Sequence, residues 1–243
     1  MVSVIVEADG LAVAELATQL GISIATVRRD LELLEKQRLV TRYRGGARPH
    51  ASFNDLPLTF KVAQDAPEKV RIARRALPLL EGARVIGTTG GTTVTELARL
   101  LRDRRGLTLV TNAVNLATML STNPWLRVFC AGGEVRSSSQ EAVGAAAEDF
   151  MSRYNVDIAF LGVDGVDPRE GCTTYDAVGA RVNAVLQTRA RKTVVLADAT
   201  KIGRVGLAQV CPMRAVDVLI TDARAPARVL DTIRSQGCQV VVV

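Results

Sequence analysis

The sequence predicts an α/β protein of two unlike parts, a small helical, basic N-terminal unit and a larger domain with a mostly parallel sheet between helices. Three observations predict it. From Glu68 onward, short β-rich runs alternate with helical stretches, the pattern of βαβ units. Two of the runs, IAFLGV and TVVLA, are apolar throughout, as strands covered on both faces are. Over the first 50 or so residues, apolar positions recur at helical spacing instead, and a basic block follows them.

Strands are predicted at Arg84–Gly87, Leu107–Thr111, Arg127–Ala131, Val156–Leu161, Thr193–Ala197, Val216–Thr221 and Gln239–Val243. Helices are predicted near 68–80, 93–103, 113–121, 143–153, 175–190 and 226–236. Residues 51–67, with Pro57 and Pro67 and little periodicity, read as a linker between a domain at 1–50 and one at 68–243. A chain of 243 residues, 48% hydrophobic and 23% charged, has material for two modest cores.

No apolar run reaches the roughly 18–20 residues that a membrane span requires. The N-terminus lacks a basic lead and a small-residue cleavage site, so a cytoplasmic location is expected. Cys130, Cys172, Cys211 and Cys238 have no CxxC spacing, and His50 is the one histidine. A zinc site needs about four ligands in close local groups. No metal and no cofactor is therefore expected, and the thiols read as reduced and partly buried. His50 reads as a solvated linker residue. The net charge is +6. More telling is its placement, because Lys36, Arg38, Arg42, Arg44 and Arg48 fall in a stretch between Glu35 and Asp55 that holds no acid.

In Val13–Leu20 the apolar residues Val13, Leu16, Ala17 and Leu20 mark one helix face, and Gly21 supplies the turn. Ser23 is placed to cap a second helix. In that helix Val27, Leu31 and Leu34 turn inward with Ile24 beside them, while Ala25 and Arg29 face away, flanked by Thr26 and Arg28. A second helix bearing Thr and two Arg beyond a Gly turn has the geometry that enters a major groove. Each Arg can hold a guanine edge or pair with phosphate, and the residue type alone does not decide between them. Leu39–Gly46 reads as a hairpin wing with Arg42 and Arg44 on one strand face, in reach of phosphates or a minor groove. The same run also fits a helical hairpin used for dimerisation.

The whole segment ELATQLGISIATVRRDLELLEKQRLVTRYRGGA resembles the winged helix-turn-helix of the DeoR family of bacterial sugar-metabolism repressors. That family has a longer first helix. Here only Met1–Ala8 precede the loop at Asp9–Gly10, so a truncated first helix and a weakened brace are expected. The resemblance runs over residues 10–243. It implies that the larger domain is a Rossmann-like sensor resembling ribose-5-phosphate isomerase, with an effector pocket.

On the residues themselves, Thr89–Gly90–Gly91–Thr92–Thr93 joins a strand to a helix. Glycines permit close backbone approach, and a helix N-terminus attracts anions, although a tight connection explains the run equally well. The resemblance makes it a sugar-phosphate loop in which Thr89 stands where an acid is usual. Asn112 ends the next strand. Gly133, Glu134 and Arg136 fall in a GGE-x-R segment, Asp164 in GVDG-x-D, Thr173 and Thr174 in G-x-TT, and Lys201 in LAD-x-x-K-x-GR. Lys201 is the foremost candidate for an anionic ligand group. Asn183 and Arg181 depart from the family's lysine and acid, which points to a ligand unlike a simple sugar phosphate, or to a sensing role that has drifted.

The expectation is a DNA-binding regulator without catalytic residues. Its partners would be a double-stranded operator, a phosphorylated sugar or related small anion, and further copies of itself as dimer or tetramer. Two alternatives remain, a sugar-phosphate isomerase using Asp164, Asp167 and Lys201 as acid/base groups, and an oligomerising protein that has lost DNA binding.

Overall fold

The computed structural model describes residues 1–8, 10–37, 39–50, 58 and 66–243. They divide into two compact units, Met1–Leu56 and Pro57–Val243. The segment expected as a linker lies outside the described residues except for Leu58, whose N–H donates to Ser138 O at 2.7 Å, and Ala66–Pro67, which open a helix.

The N-terminal unit runs α1 (Val2–Glu7), β1 (Leu11–Ala12), α2 (Val13–Leu20), α3 (Ile24–Lys36), β2 (Val40–Tyr43) and β3 (Gly46–Pro49). Gly21 ends α2 in the left-handed region, at φ 65°, where a Cβ would be strained. Ser23 caps α3, its Oγ accepting the Thr26 N–H at 3.1 Å. Leu16, Val27, Leu31, Val40 and Ala47 form a small buried core, and Leu34 packs against it. Ile24 departs from expectation. It is 47% exposed, because the first turn of α3 stands clear of the core that Val27 and Leu31 enter. The wing is present as an antiparallel β2–β3 hairpin, with β1 added to its β3 edge.

Short as it is, α1 places Ile5 at full burial in this core, with Met1 and Val4 packed beside it.

The larger unit begins with α4 (Ala66–Ala76), whose Pro67 is tolerated in a first helical turn. There follow β4 (Val85–Thr88), α5 (Thr92–Leu100), β5 (Leu107–Thr111), α6 (Val114–Leu120), β6 (Leu126–Cys130), β7 (Glu134–Arg136), β8 (Glu141–Val143), α7 (Ala145–Ser152) and β9 (Ile158–Leu161). The chain continues through β10 (Gly165–Asp167), β11 (Gly171–Thr174), α8 (Ala177–Thr188), β12 (Thr193–Leu196), β13 (Ala208–Cys211), β14 (Val218–Thr221), α9 (Ala227–Ser235) and β15 (Gln239–Val242). The seven predicted strands, their ends shifted by a residue or two, form one sheet of order β15-β14-β12-β9-β4-β5-β6, with every pairing parallel. Successive residues feed opposite faces. Ile158 and Phe160 join one core and Ala159 and Leu161 the other, which is why the run is apolar throughout.

The strand order reverses beside β4. The chain moves outward through β5 and β6, then returns across β4 to β9 and proceeds to the opposite edge. Open α/β sheets bind ligands outside the carboxyl ends of strands at such a switch point. At the other end, Asp157 Oδ2 accepts the N–H groups of Arg84 and Val85, both at 2.9 Å, and ties β9 to β4. Those two bonds hold its carboxyl below the usual range. Beyond the seven strands lie a β10-β11-β13 antiparallel sheet and a β7–β8 hairpin.

Replacing Ile5 with Ala is expected to cost the N-terminal core about 2–5 kcal/mol. Hydrogen exchange on the full chain would show it as faster exchange of the α3 amides, with β4 and β9 unchanged.

Candidate functional site

In the N-terminal unit, Ser23, Ala25, Thr26, Arg28 and Arg29 are all exposed on the first half of α3. Thr26 is anchored, its Oγ1 lying 2.8 Å from Ser23 Oγ. Glu32 and Glu35 occupy the second half. The wing arginines are not equivalent, contrary to the reading that puts both on one strand face. Arg42 lies in β2, its guanidinium 3.4 Å from Glu32 and 3.9 Å from Glu35, while its N–H donates to Glu35 Oε1 at 3.1 Å. It fastens the wing to α3. Arg44 lies instead in the Arg44–Gly45 turn, past the end of β2, exposed at the tip where Gly45 takes φ 92°. His50 is held to the sheet, its N–H donating to Leu39 O at 3.3 Å.

In the larger unit the switch point brings the β4 and β9 loops into contact. Thr89 Oγ1 accepts the Gly162 N–H at 2.8 Å and donates to Gly90 O at 3.3 Å. A Cβ on Gly162 would stand 2.3 Å from Gly90 O, which is backbone and cannot yield. Gly91, at φ 113°, then starts α5, with Thr92 half-buried and Thr93 buried. Thr89 is the expected ligand group at this point. It is fully buried and its hydroxyl is engaged on both sides, so its role is to lock the two loops together.

Asp164 and Thr174 face each other across the mouth of β9, Thr174 Oγ1 donating to Asp164 Oδ2 at 2.8 Å. Thr173 is buried, and its Oγ1 accepts the Gly206 N–H at 2.7 Å, so it too supports the fold. Asn112 is fully buried. Its Nδ2 reaches Ala142 O and Asn183 Oδ1, each at 3.4 Å, while its Oδ1 has no hydrogen-bond partner. Gly133 and Glu134 are exposed where the β7–β8 hairpin begins, and Arg136 reaches Asp176 at 3.5 Å. Lys201 is half-buried in the single helical turn after β12. Arg181 turns outward to Glu148 at 3.1 Å.

Sequence reasoning missed Glu141. Gln140, at φ 58°, closes the hairpin turn and delivers Glu141 to the crevice, where it is 9% exposed and its Oε1 accepts the Gly90 N–H at 2.7 Å. Burial raises its carboxyl above the usual range, with Asp164 adding to the rise, while the Gly90 bond, the Ser139 hydroxyl and the nearby Arg136 oppose it. A lone Glu after a Ser/Gln loop carries no motif, so only the fold reveals it. Elsewhere burial raises the Cys130 thiol, and the hydrogen bond between Cys172 and Cys211 raises the first and lowers the second. Cys172 and Cys211 are buried opposite each other on β11 and β13, and burial pushes Cys238 up to about 11.

A winged helix-turn-helix with a basic leading half, carried in one chain with a parallel-sheet domain, is the organisation of a transcriptional regulator. Residues 1–52 match the model of the DeoR-like helix-turn-helix domain, and residues 64–223 match that of the DeoR C terminal sensor domain. The chain belongs to the DeoR family and is a DNA-binding transcriptional regulator, not an enzyme. It is 35% identical over 242 residues to the HTH-type transcriptional regulator GlpR of Haloferax volcanii, covering 99% of this chain and 94% of that one. It is 30% identical over 225 residues to the glycerol-3-phosphate regulon repressor of Escherichia coli, covering 93% and 89%. A D-ribose-5-phosphate isomerase in complex with phospho-erythronic acid superposes at TM-score 0.43 and 18% identity, over 56% of this chain and 54% of that one.

Gly162→Ala is expected to force the β4 and β9 loops apart, lowering Tm by several degrees in a thermal melt. A raised folded-state pKa at Glu141 means that folding favours its neutral form. The stability this gives is complete in acid and is lost as pH rises through the raised value. Glu141→Gln keeps the neutral shape, so its Tm should exceed that of the parent at about pH 8 and converge with it toward about pH 4.

Proposed function

We propose that the protein represses a carbohydrate-metabolism operon by binding its operator as a homo-oligomer, and that a phosphorylated sugar, polyol or related small anion in the crevice alters that binding. The observation that carries the proposal is the exposed leading half of α3, where Ser23, Ala25, Thr26, Arg28 and Arg29 stand together without an acidic side chain among them. Residues 1–50 then serve as the DNA-binding domain, 51–67 as linker and 68–243 as sensor. Arg28 and Arg29 are assigned to base edges or phosphates of a major groove, and Arg44 to the backbone beside it. Arg42 supports the wing through Glu32 and Glu35 and plays at most a secondary part in contact. One helix-turn-helix covers about half of a typical site, which favours a dimer or tetramer.

On the sensor side, the amides and hydroxyls of Gly91, Thr92 and Thr93 at the start of α5, with Lys201, are assigned to the anionic group. Asp164, Thr174 and Arg136 line the open side. Gly90, Thr89, Asn112 and Thr173 shape the crevice from behind, and Gly133 and Glu134 edge it. The names of the two relatives above, one of them a glycerol-3-phosphate regulon repressor, support an effector of the phosphate-ester class. To alter DNA affinity, that effector must bind two conformations unequally.

Fluorescence anisotropy with DNA from the protein's own upstream region tests the reading. The full chain is expected to prefer that DNA over random duplex at moderate salt, and equal affinity for both would refute it. Arg29→Ala should weaken specific binding by about 1–3 kcal/mol, whereas Arg44→Ala should weaken all duplexes alike and lower the salt slope by about one.

A further inference from the structure

We infer that Glu141 reads the hydroxyl groups of the ligand, making the crevice selective for a hydroxylated phosphate ester over the same ester without hydroxyls. The inference rests on the reading of the crevice as an anion site, and it adds which side chain distinguishes one anion from another. Three features of the loop lead to it. Thr89, at the carboxyl end of β4, has its hydroxyl engaged by Gly162 and Gly90, so it offers nothing to a ligand. The Gly90 N–H is taken by Glu141 Oε1. The anion is therefore left to the amides from Gly91 onward and to Lys201, and the Gly90 end of the loop presents a carboxylate in place of a donor.

That carboxylate is built in rather than incidental. Gly90 has no Cβ, and one placed there would stand 2.8 Å from Glu141 Cγ and Cδ, so the glycine makes the room in which the side chain lies. The backbone of Glu141 is fixed as well. It bridges Ala113, while Ala142 N–H donates to Asn112 O at 2.7 Å and Val114 N–H to Gln140 O at 2.9 Å. The hairpin that carries Glu141 is thus clamped to the end of β5. With one oxygen held by Gly90 and the Ser139 hydroxyl beside the carboxylate, the lone pairs left to Glu141 are those assigned to a donor in the crevice. Asp164, near enough to act on the charge of Glu141, supplies a second carboxylate across the mouth. Two acceptors at one end and an amide row with a lysine at the other match a molecule with hydroxyls at one end and a phosphate at the other.

The test is isothermal titration of the full chain with glycerol 3-phosphate, fructose 1-phosphate, glucose 6-phosphate and, as the hydroxyl-free comparison, n-propyl phosphate. The parent is expected to bind at least one hydroxylated ester about tenfold or more tightly than propyl phosphate. Glu141→Ala should erase that preference by weakening the hydroxylated ester while leaving propyl phosphate within about twofold. Glu141→Gln, which keeps an acceptor without the charge, should retain part of the preference, and it carries the test if the alanine variant does not fold. A preference unchanged in both variants overturns the role of Glu141 and leaves the anion site standing, as does a parent that binds propyl phosphate as tightly as the others. A parent that binds none of the four esters overturns the phosphate-ester reading itself, and this inference with it.

Discussion

The sensor domain depends on one close approach. At the switch point the β4 loop and the β9 loop meet backbone to backbone, with the missing side chain of Gly162 giving Gly90 O its place and the Thr89 hydroxyl bridging the two. Everything that borders the crevice is referred to that contact. Gly91 and the first turn of α5 follow the β4 loop, and Asp164 follows the β9 loop. Glu141 comes from a third direction and packs on Gly90. Because β4 and β9 are joined at their opposite ends through Asp157, the two strands are held at both termini and the loops meet without freedom to slide.

Much of the fold was legible in the sequence because its sheet is parallel and covered on both faces. Strands such as IAFL and the VVL of β12 are apolar at every position, and helices must separate them, so the alternation appears in the letters. The antiparallel pieces left no such trace. Strands β10, β11 and β13 are three or four residues long and rich in Gly, Thr and Cys, and β11 meets β13 across a helix and a strand of the main sheet. Pairing at that separation has no local periodicity.

For the candidate site, the letters mark positions without saying how each side chain is turned, for a related reason. Glycines, threonines and an aspartate at strand ends mark a crevice, but residue type does not say which hydroxyl faces a ligand and which faces the protein. Thr89 and Thr173 have their hydroxyls engaged with neighbouring backbone, whereas Glu141, with no motif around it, lies within the crevice. In the N-terminal unit the capping Ser23 was evident from spacing alone, yet the separation of Arg42 from Arg44 required knowing where β2 ends. Ile5 shows the same limit from the other side. A count of turns in α1 does not say how deep a side chain reaches, and Ile5 is fully buried.

The division of α3 has a directional consequence. Past Arg28 and Arg29 the helix carries Asp30, Glu32 and Glu35 before Lys36 closes its last turn, with Arg42 drawn back onto Glu32 and Glu35. A polyanion laid lengthwise along this helix would gain attraction at one end and meet repulsion at the other. The arrangement therefore penalises broadside docking and favours entry by the N-terminal end, where the partial positive charge of the helix adds to the arginines. On the proposed docking of α3, a substitution that neutralised Glu32 and Glu35 would loosen orientation before it loosened affinity.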